Sequence, residues 1–268
     1  MRKCPKCGKY GETETQRFCN SCGMELFFPE RFDDNKSVMN ITVFHGSPRK
    51  NGNTRHATQI FMDELQKQGN VSFTEFYLPD ALPVFCSGCT LCFSGKCCPN
   101  AQYIEPIIDE IMKSDALIFA TPHYGACSMS GGMKTLLDHL DFFVLNVTPR
   151  KEMFDKKVFI LTTAAGTTAT IKPIKSFLKH WGLNRVYSLG LRLFTSEWTK
   201  MSSTKQAKFE KRIRMAAKKF YHVRKKRPYL STVFYYHISK MIVRKYIGEG
   251  NYPYEYWKEQ GFFKKRPF

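Results

Sequence analysis

Two groups of residues in this chain have the types and spacing to do chemistry. The first is HGSPRKNGNT, residues 45–54, where the apolar run 40–44 gives way to a Gly/Ser/Arg/Asn loop before a helical pattern begins. A strand that empties into such a loop and then a helix start gathers backbone N–H groups, hydroxyls and a guanidinium around one point, which is what a phosphate monoester requires. The second group is cysteine: ten of them, at 4, 7, 19, 22, 86, 89, 92, 97, 98 and 127. Clustered as CxxC units in a long chain with no apolar signal region, they point to metal rather than to a disulfide framework.

Cys4 and Cys7, then Cys19 and Cys22, form two CxxCG knuckles separated by eleven residues. Four thiolates suit one tetrahedral ion, and the glycine after each pair permits a tight turn around it. Too few apolar residues lie here for a core, so metal binding would supply the folding free energy. The pattern resembles short zinc ribbons and, less closely, rubredoxin-like modules; zinc is the expected ion, and iron, the alternative, would make the module an electron carrier. The second cluster, Cys86, Cys89 and Cys92 followed by Cys97 and Cys98, has the C-x2-C-x2-C spacing that lets three thiolates converge from one turn with a fourth close behind. That is the arrangement of a [4Fe-4S] site, although three or four thiolates also suit zinc.

The elements that must position these groups alternate. Strands are expected at 41–44, 71–77, 116–120, 158–163 and 186–191. Between and after them run helical faces: Ala57, Ile60, Phe61 and Leu65; Ile104, Ile107, Ile108 and Ile111; Met133, Leu136, Leu137 and Leu140; Ile171, Ile174, Phe177, Leu178 and Trp181; Phe209, Ile213, Ala216, Ala217 and Phe220. Five alternations of strand and helix imply an α/β fold, a doubly wound five-stranded parallel sheet covered on both faces. Ligands of such sheets bind beyond the carboxyl ends of the strands, where strand order reverses. Three strand-end loops should therefore meet: 45–54, 121–126 (TPHYGA) and 163–167 (TAAGT).

GSPRKNGNT, TPHYGACSMSGGMKTLLDH and TTAAG, in register over roughly residues 40–195, resemble the three FMN-binding loops of the flavodoxin-like NADPH-dependent FMN reductase family. The resemblance implies FMN, with Ser47, Arg49, Asn53 and Thr54 on its phosphate, Pro122, His123, Tyr124 and Gly125 along the ribityl chain and ring edge, and Ala164, Ala165 and Gly166 at the pyrimidine side. The cysteine loop resembles that of the iron-sulfur flavoproteins, a branch of the same family; family spacing prefers Cys97 over Cys98 as fourth ligand. It also implies NAD(P)H as a transient co-substrate over the flavin, an acidic electron carrier such as a ferredoxin as the alternative donor, and a homodimer. Lys134 and Asp138, spaced i, i+4, most simply pair on a helix surface.

The domain organisation expected is a ribbon at 1–25, a linker at 26–38, the FMN-binding domain at 39–223 and a basic helical extension at 224–268. The chain carries a formal +19, and from residue 201 onward it holds 18 Lys and Arg against 4 Asp and Glu, so the basicity belongs to the tail. Packing on the domain or on a second subunit, anchored by Tyr256 and Trp257, is the expected use of that extension. Nucleic acid or a membrane surface are its other candidate partners, and a redox-responsive binding protein built on ribbon and tail is the alternative functional class. With no stretch of 18 apolar residues, a cytoplasmic location is expected.

Overall fold

A computed structural model of the protein describes residues 20–21, 38–125, 128–163, 167–223 and 228–268. The four ribbon cysteines, Cys127 and the loop 164–166 lie outside them.

The elements run β1 (Met39–His45), α1 (Asn53–Gln68), β2 (Val71–Tyr77), α2 (Leu78–Ala81), α3 (Ala101–Lys113), β3 (Ala116–Tyr124), β4 (Ser128–Met129), α4 (Gly131–His139), α5 (Lys151–Asp155), β5 (Lys157–Thr163), α6 (Thr167–His180), β6 (Arg185–Leu191), α7 (Ser203–Tyr221), α8 (Leu230–Ile242) and α9 (Tyr252–Glu259). The sheet order is β2-β1-β3-β5-β6, all parallel, which is the expected flavodoxin-like order. The reversal falls between β1 and β3, paired from Ile41 opposite Ala116 to His45 opposite Ala120. A sixth, two-residue strand that the periodicity did not announce, β4, pairs antiparallel with the end of β3.

The central strands are apolar on both faces because both faces are covered. Alternate residues feed two cores. Phe44, Leu117, Phe119, Val158 and Ile160 pack with α3, α4 and α6, whereas Ile41, Val43, Ile118, Phe159 and Leu161 pack with α1 and α7. The edge strands β2 and β6 are only half-buried along most of their length.

The extension folds back on the domain around a third cluster of Tyr236, Val243, Tyr256, Trp257 and Phe262. The Tyr256 hydroxyl donates to the Pro149 carbonyl at 2.8 Å and Trp257 Nε1 to the Leu145 carbonyl at 3.1 Å. Both expected anchors are thus buried within the chain. Among the described residues no helix is long and apolar enough to cross a membrane. Trp257 is fully buried, so Trp257→Ala should cost roughly 3–5 kcal/mol of whatever stability docks the extension. The expected result is faster limited proteolysis within 228–268 than in the domain, measured by mass spectrometry of the fragments.

Candidate functional site

β1 ends at His45, and the chain turns through Gly46 directly beneath β3, with Gly46 N–H donating to the Ala120 carbonyl at 2.8 Å. A Cβ on Gly46 would lie 2.5 Å from Ser130 Oγ and 3.0 Å from Met133 Cβ, so only glycine allows this close approach. The next residues form a small turn in which the Arg49 N–H donates to Ser47 Oγ at 3.1 Å. Helix α1 then begins after Gly52 with no side-chain cap and no acidic residue in its first turn. Its leading N–H groups have no intrahelical acceptor, and the helix dipole favours an anion there.

These residues open on a cleft of about 200 Å³ lined by Ser47, Arg49, Asn53, Thr54, Pro122, His123, Tyr124 and Thr163, with Gly52, Leu193, Thr195 and Ser196 completing the wall. Hydroxyls bind the loops together. Thr54 Oγ1 and Thr163 Oγ1 share a buried hydrogen bond of 2.6 Å, joining the first loop to the end of β5. Thr121 Oγ1 accepts from Ser130 N–H at 3.1 Å and meets Ser130 Oγ at 3.0 Å, tying β3 to the start of α4. His123 Nδ1 and Thr170 Oγ1 approach to 2.8 Å, anchoring the second loop on α6.

The first two loops and the start of the third therefore meet as expected. Gly125 sits one residue beyond β3 with φ of +62° and does not line this cleft; 164–166 lie outside the described residues. A fourth loop, after β6, also contributes. Asn53 Nδ2 donates to the Thr195 carbonyl at 2.8 Å, leaving Asn53 Oδ1 buried without a partner. No local pattern distinguishes Leu193, Thr195 and Ser196, because their place depends on how far β6 and α7 bring them back over the cradle.

Behind the cradle His45 Nε2 donates to Glu75 Oε2 at 2.7 Å, with Arg55 Nη2 3.5 Å from the same oxygen. The hydrogen bond from His45 is the strongest influence on Glu75; with the charge of Arg55 it holds the carboxyl below its ordinary 4.5, against burial, which pushes it up. Arg55 Nε also donates to the Tyr77 hydroxyl at 2.7 Å, so this guanidinium is committed to β2 rather than to the cleft. Lys134 and Asp138 pair on the surface of α4, as the spacing predicts.

The cysteine loop leaves β2 on the same side of the sheet. Cys86, Cys89 and Cys97 are exposed, Cys92 and Cys98 half-buried against the α3 side of the core. Left-handed backbone at Gly88, Thr90 and Gly95 turns the loop repeatedly, with a 3-10 turn at Leu91–Ser94. Among the described residues no three Cys, His, Asp or Glu side chains are gathered closely enough to hold a metal ion. The thiols have the number and type that suit a cluster.

The cleft brings together an uncapped helix start, hydroxyls and a guanidinium, donors that suit an anion, with Pro122, His123 and Tyr124 on its wall. Residues 39–197 match the NADPH-dependent FMN reductase family. The chain belongs to that family. The match begins at the first residue of β1 and ends in the fourth loop of the cleft, so it spans every part of the site. An iron-sulfur flavoprotein of Clostridioides difficile (strain 630) is 31% identical over 83% of this chain and 99% of its own length. An iron-sulfur flavoprotein of Archaeoglobus fulgidus is 23% identical over 81% of this chain and 96% of its own. The fold resembles that of an NAD(P)H:quinone oxidoreductase from Methanothermobacter marburgensis, with a TM-score of 0.57 at 15% identity over 70% of this chain and all of that one. As a member of the family the chain is an oxidoreductase.

Because the folded Glu75 carboxyl titrates below 4.5, it contributes stability that is present above that value and lost as pH falls through the depressed one. Glu75→Gln should therefore be less stable than the parent near neutral pH, with the gap closing on acidification. Urea midpoints followed from about pH 7 to about pH 3 measure this.

Proposed function

We propose that the chain binds FMN in the cleft at the ends of β1, β3 and β5 and uses it to pass electrons from NAD(P)H to an acceptor. The observation that supports this most directly is the start of α1 at the cleft, which has no side-chain cap and stands beside Ser47 and Arg49, so that N–H, hydroxyl and guanidinium donors face one anion. FMN, when bound, supplies hydride acceptance and release of electrons singly or in pairs.

On this reading Ser47, Arg49, Asn53 and Thr54 hold the phosphate, and the α1 N–H groups share its charge. Pro122, His123, Tyr124 and Gly125 flank the ribityl chain and ring, and the backbone of Ala164, Ala165 and Gly166 meets the pyrimidine side. His123 is held by Thr170, so its role is to shape the wall, and no side chain of the cleft is assigned a proton transfer. A homodimer, which would cover the exposed Tyr124 side of the cleft, belongs to the same reading.

The iron-sulfur names of the two relatives support a [4Fe-4S] cluster on Cys86, Cys89, Cys92 and Cys97, with Cys98 as the alternative fourth ligand. No electron step is routed through it. The four ribbon thiols, Cys4, Cys7, Cys19 and Cys22, are proposed to hold zinc.

Anaerobic purification followed by an absorption spectrum, with iron, zinc and sulfide analysis, tests all three groups. FMN bound tightly is the expected result, and a colourless protein that takes up no added flavin would refute the reading. Flavin without sulfide would remove only the cluster. Arg49→Ala should weaken FMN by about ten- to a hundredfold, as for the loss of a hydrogen bond to a charged group. It should leave riboflavin, which lacks the phosphate, unaffected; fluorescence titration with both flavins measures the difference.

A further inference from the structure

Helix α8 uses one face to seat the extension and leaves the other in water. Thr232, Tyr236, Ser239 and Val243 are buried, with the Tyr236 ring stacked on Trp257 at 5.5 Å between centroids. On the opposite side Leu230, Phe234, His237 and Met241, spaced i, i+4, i+7 and i+11, share one stripe of the helix, and all four are exposed. Leu230 is 88% exposed and Phe234 62%. Tyr229, just before the helix, and Tyr246, in the π turn that follows it, are exposed as well. Among the described residues nine large apolar side chains are exposed, and five of the nine lie within 229–246, so they form a patch rather than a scatter.

The surroundings of this patch are positive. Residues 222–248 hold seven Lys and Arg and no Asp or Glu. Arg244 and Lys245 follow Met241 within about one turn and are exposed. Phe263 steadies two cations at the flank: Lys240 Nζ donates to its carbonyl at 2.6 Å, and the Arg244 guanidinium lies 4.8 Å from its ring centroid. Helix α6, which meets α8 where His180 packs on Tyr235, carries Lys172, Lys175 and Lys179 and no carboxylate.

An apolar stripe framed by cations fits a surface that offers hydrocarbon and negative charge together. Nucleic acid supplies the charge but no apolar bed for leucine and methionine. A second copy supplies apolar surface, but a two-fold pairing sets the same face against itself, so the cations would meet like charge. An anionic bilayer supplies both, and the two signals together hold a protein where either alone gives only marginal binding. We propose that α8 docks the protein on an anionic membrane surface, with Leu230, Phe234 and Met241 entering the headgroup and acyl boundary and Arg244 and Lys245 on the lipid phosphates. The helix, about 20 Å long at 1.5 Å per residue, lies in the interface and does not cross it. The opposite face keeps its packing on Trp257, so docking needs no rearrangement of the extension.

The test sediments the full-length protein with sucrose-loaded vesicles, either of phosphatidylcholine alone or of phosphatidylcholine and phosphatidylglycerol in equal parts. The protein should pellet with the anionic vesicles and not with the neutral ones, and the pelleted fraction should fall as salt rises from about 0.1 M to about 0.5 M. Leu230→Ser/Phe234→Ser/Met241→Ser should lower the partition coefficient by at least about tenfold. Its thermal midpoint should stay at the parent's value, because all three side chains are exposed. Lys245→Gln alone should lower partitioning by about fivefold. The proposal is overturned by a protein that pellets with neither vesicle, by pelleting that the apolar substitutions leave unchanged, or by a dimer in sedimentation equilibrium that those substitutions dissociate while lipid is not bound. If the triple variant is destabilised, Lys245→Gln and the salt series decide, and unchanged pelleting in both overturns the proposal.

Discussion

The hydrogen bond between Thr54 Oγ1 and Thr163 Oγ1 is the smallest contact on which the rest of the site depends. It is fully buried, 2.6 Å long, and joins residues 109 positions apart. Strands β1 and β5 are not neighbours, since β3 lies between them, so sheet hydrogen bonding cannot fix the distance between their end loops. A hydroxyl pair across the top of β3 does. Buried polar groups left unpaired are costly, and that cost holds the start of α1 against the end of β5 and keeps the cleft between them open over β3. Thr121 with Ser130, and Asn53 with Thr195, repeat the device on either side. Together they bring four loops from a parallel sheet to one point without any strand leaving its register.

The same economy explains the positions of glycine. Gly46 lies where β1 passes under the α4 start, and a side chain there would meet Ser130 Oγ, the hydroxyl that caps α4. Gly95, in the cysteine loop, has a φ of +73° and faces the ring of Tyr252 at the start of α9, where a Cβ would come within 2.6 Å. The extension therefore touches the cysteine loop directly, although it lies outside the part of the chain that matches the family. The cysteine loop is braced by an element from the far end of the chain, which couples its shape to the seating of α9.

The five parallel strands and five helices were legible because the apolar periods are long and the two-sided burial of β1, β3 and β5 leaves continuous apolar runs; the strand order followed from the family resemblance. The tight turn and helix start after β1 were legible for a local reason: glycine, serine and asparagine between an apolar run and a helical period mark a strand end and a helix start, which short stretches of sequence encode. The short β4 was not, because two residues carry no period. Nor was the loop after β6, whose Leu193, Thr195 and Ser196 bear no chemical signature of their own. The basic tail read as one block of charge; in the fold the cations of α7 flank a cleft near the one at the ends of β1, β3 and β5, while Tyr256 and Trp257 of the extension bury themselves against the loop after α4.

The sequence by itself determined the fold class and the family, since these follow from local spacing and from alternation that any compact α/β packing must respect. It also determined the number of thiols in the 86–98 loop. Only the tertiary structure decided which loop completes the cleft and where the positive charge gathers. Those are distances between residues remote in the chain, set by the packing of whole elements, and no pattern within a single segment carries them.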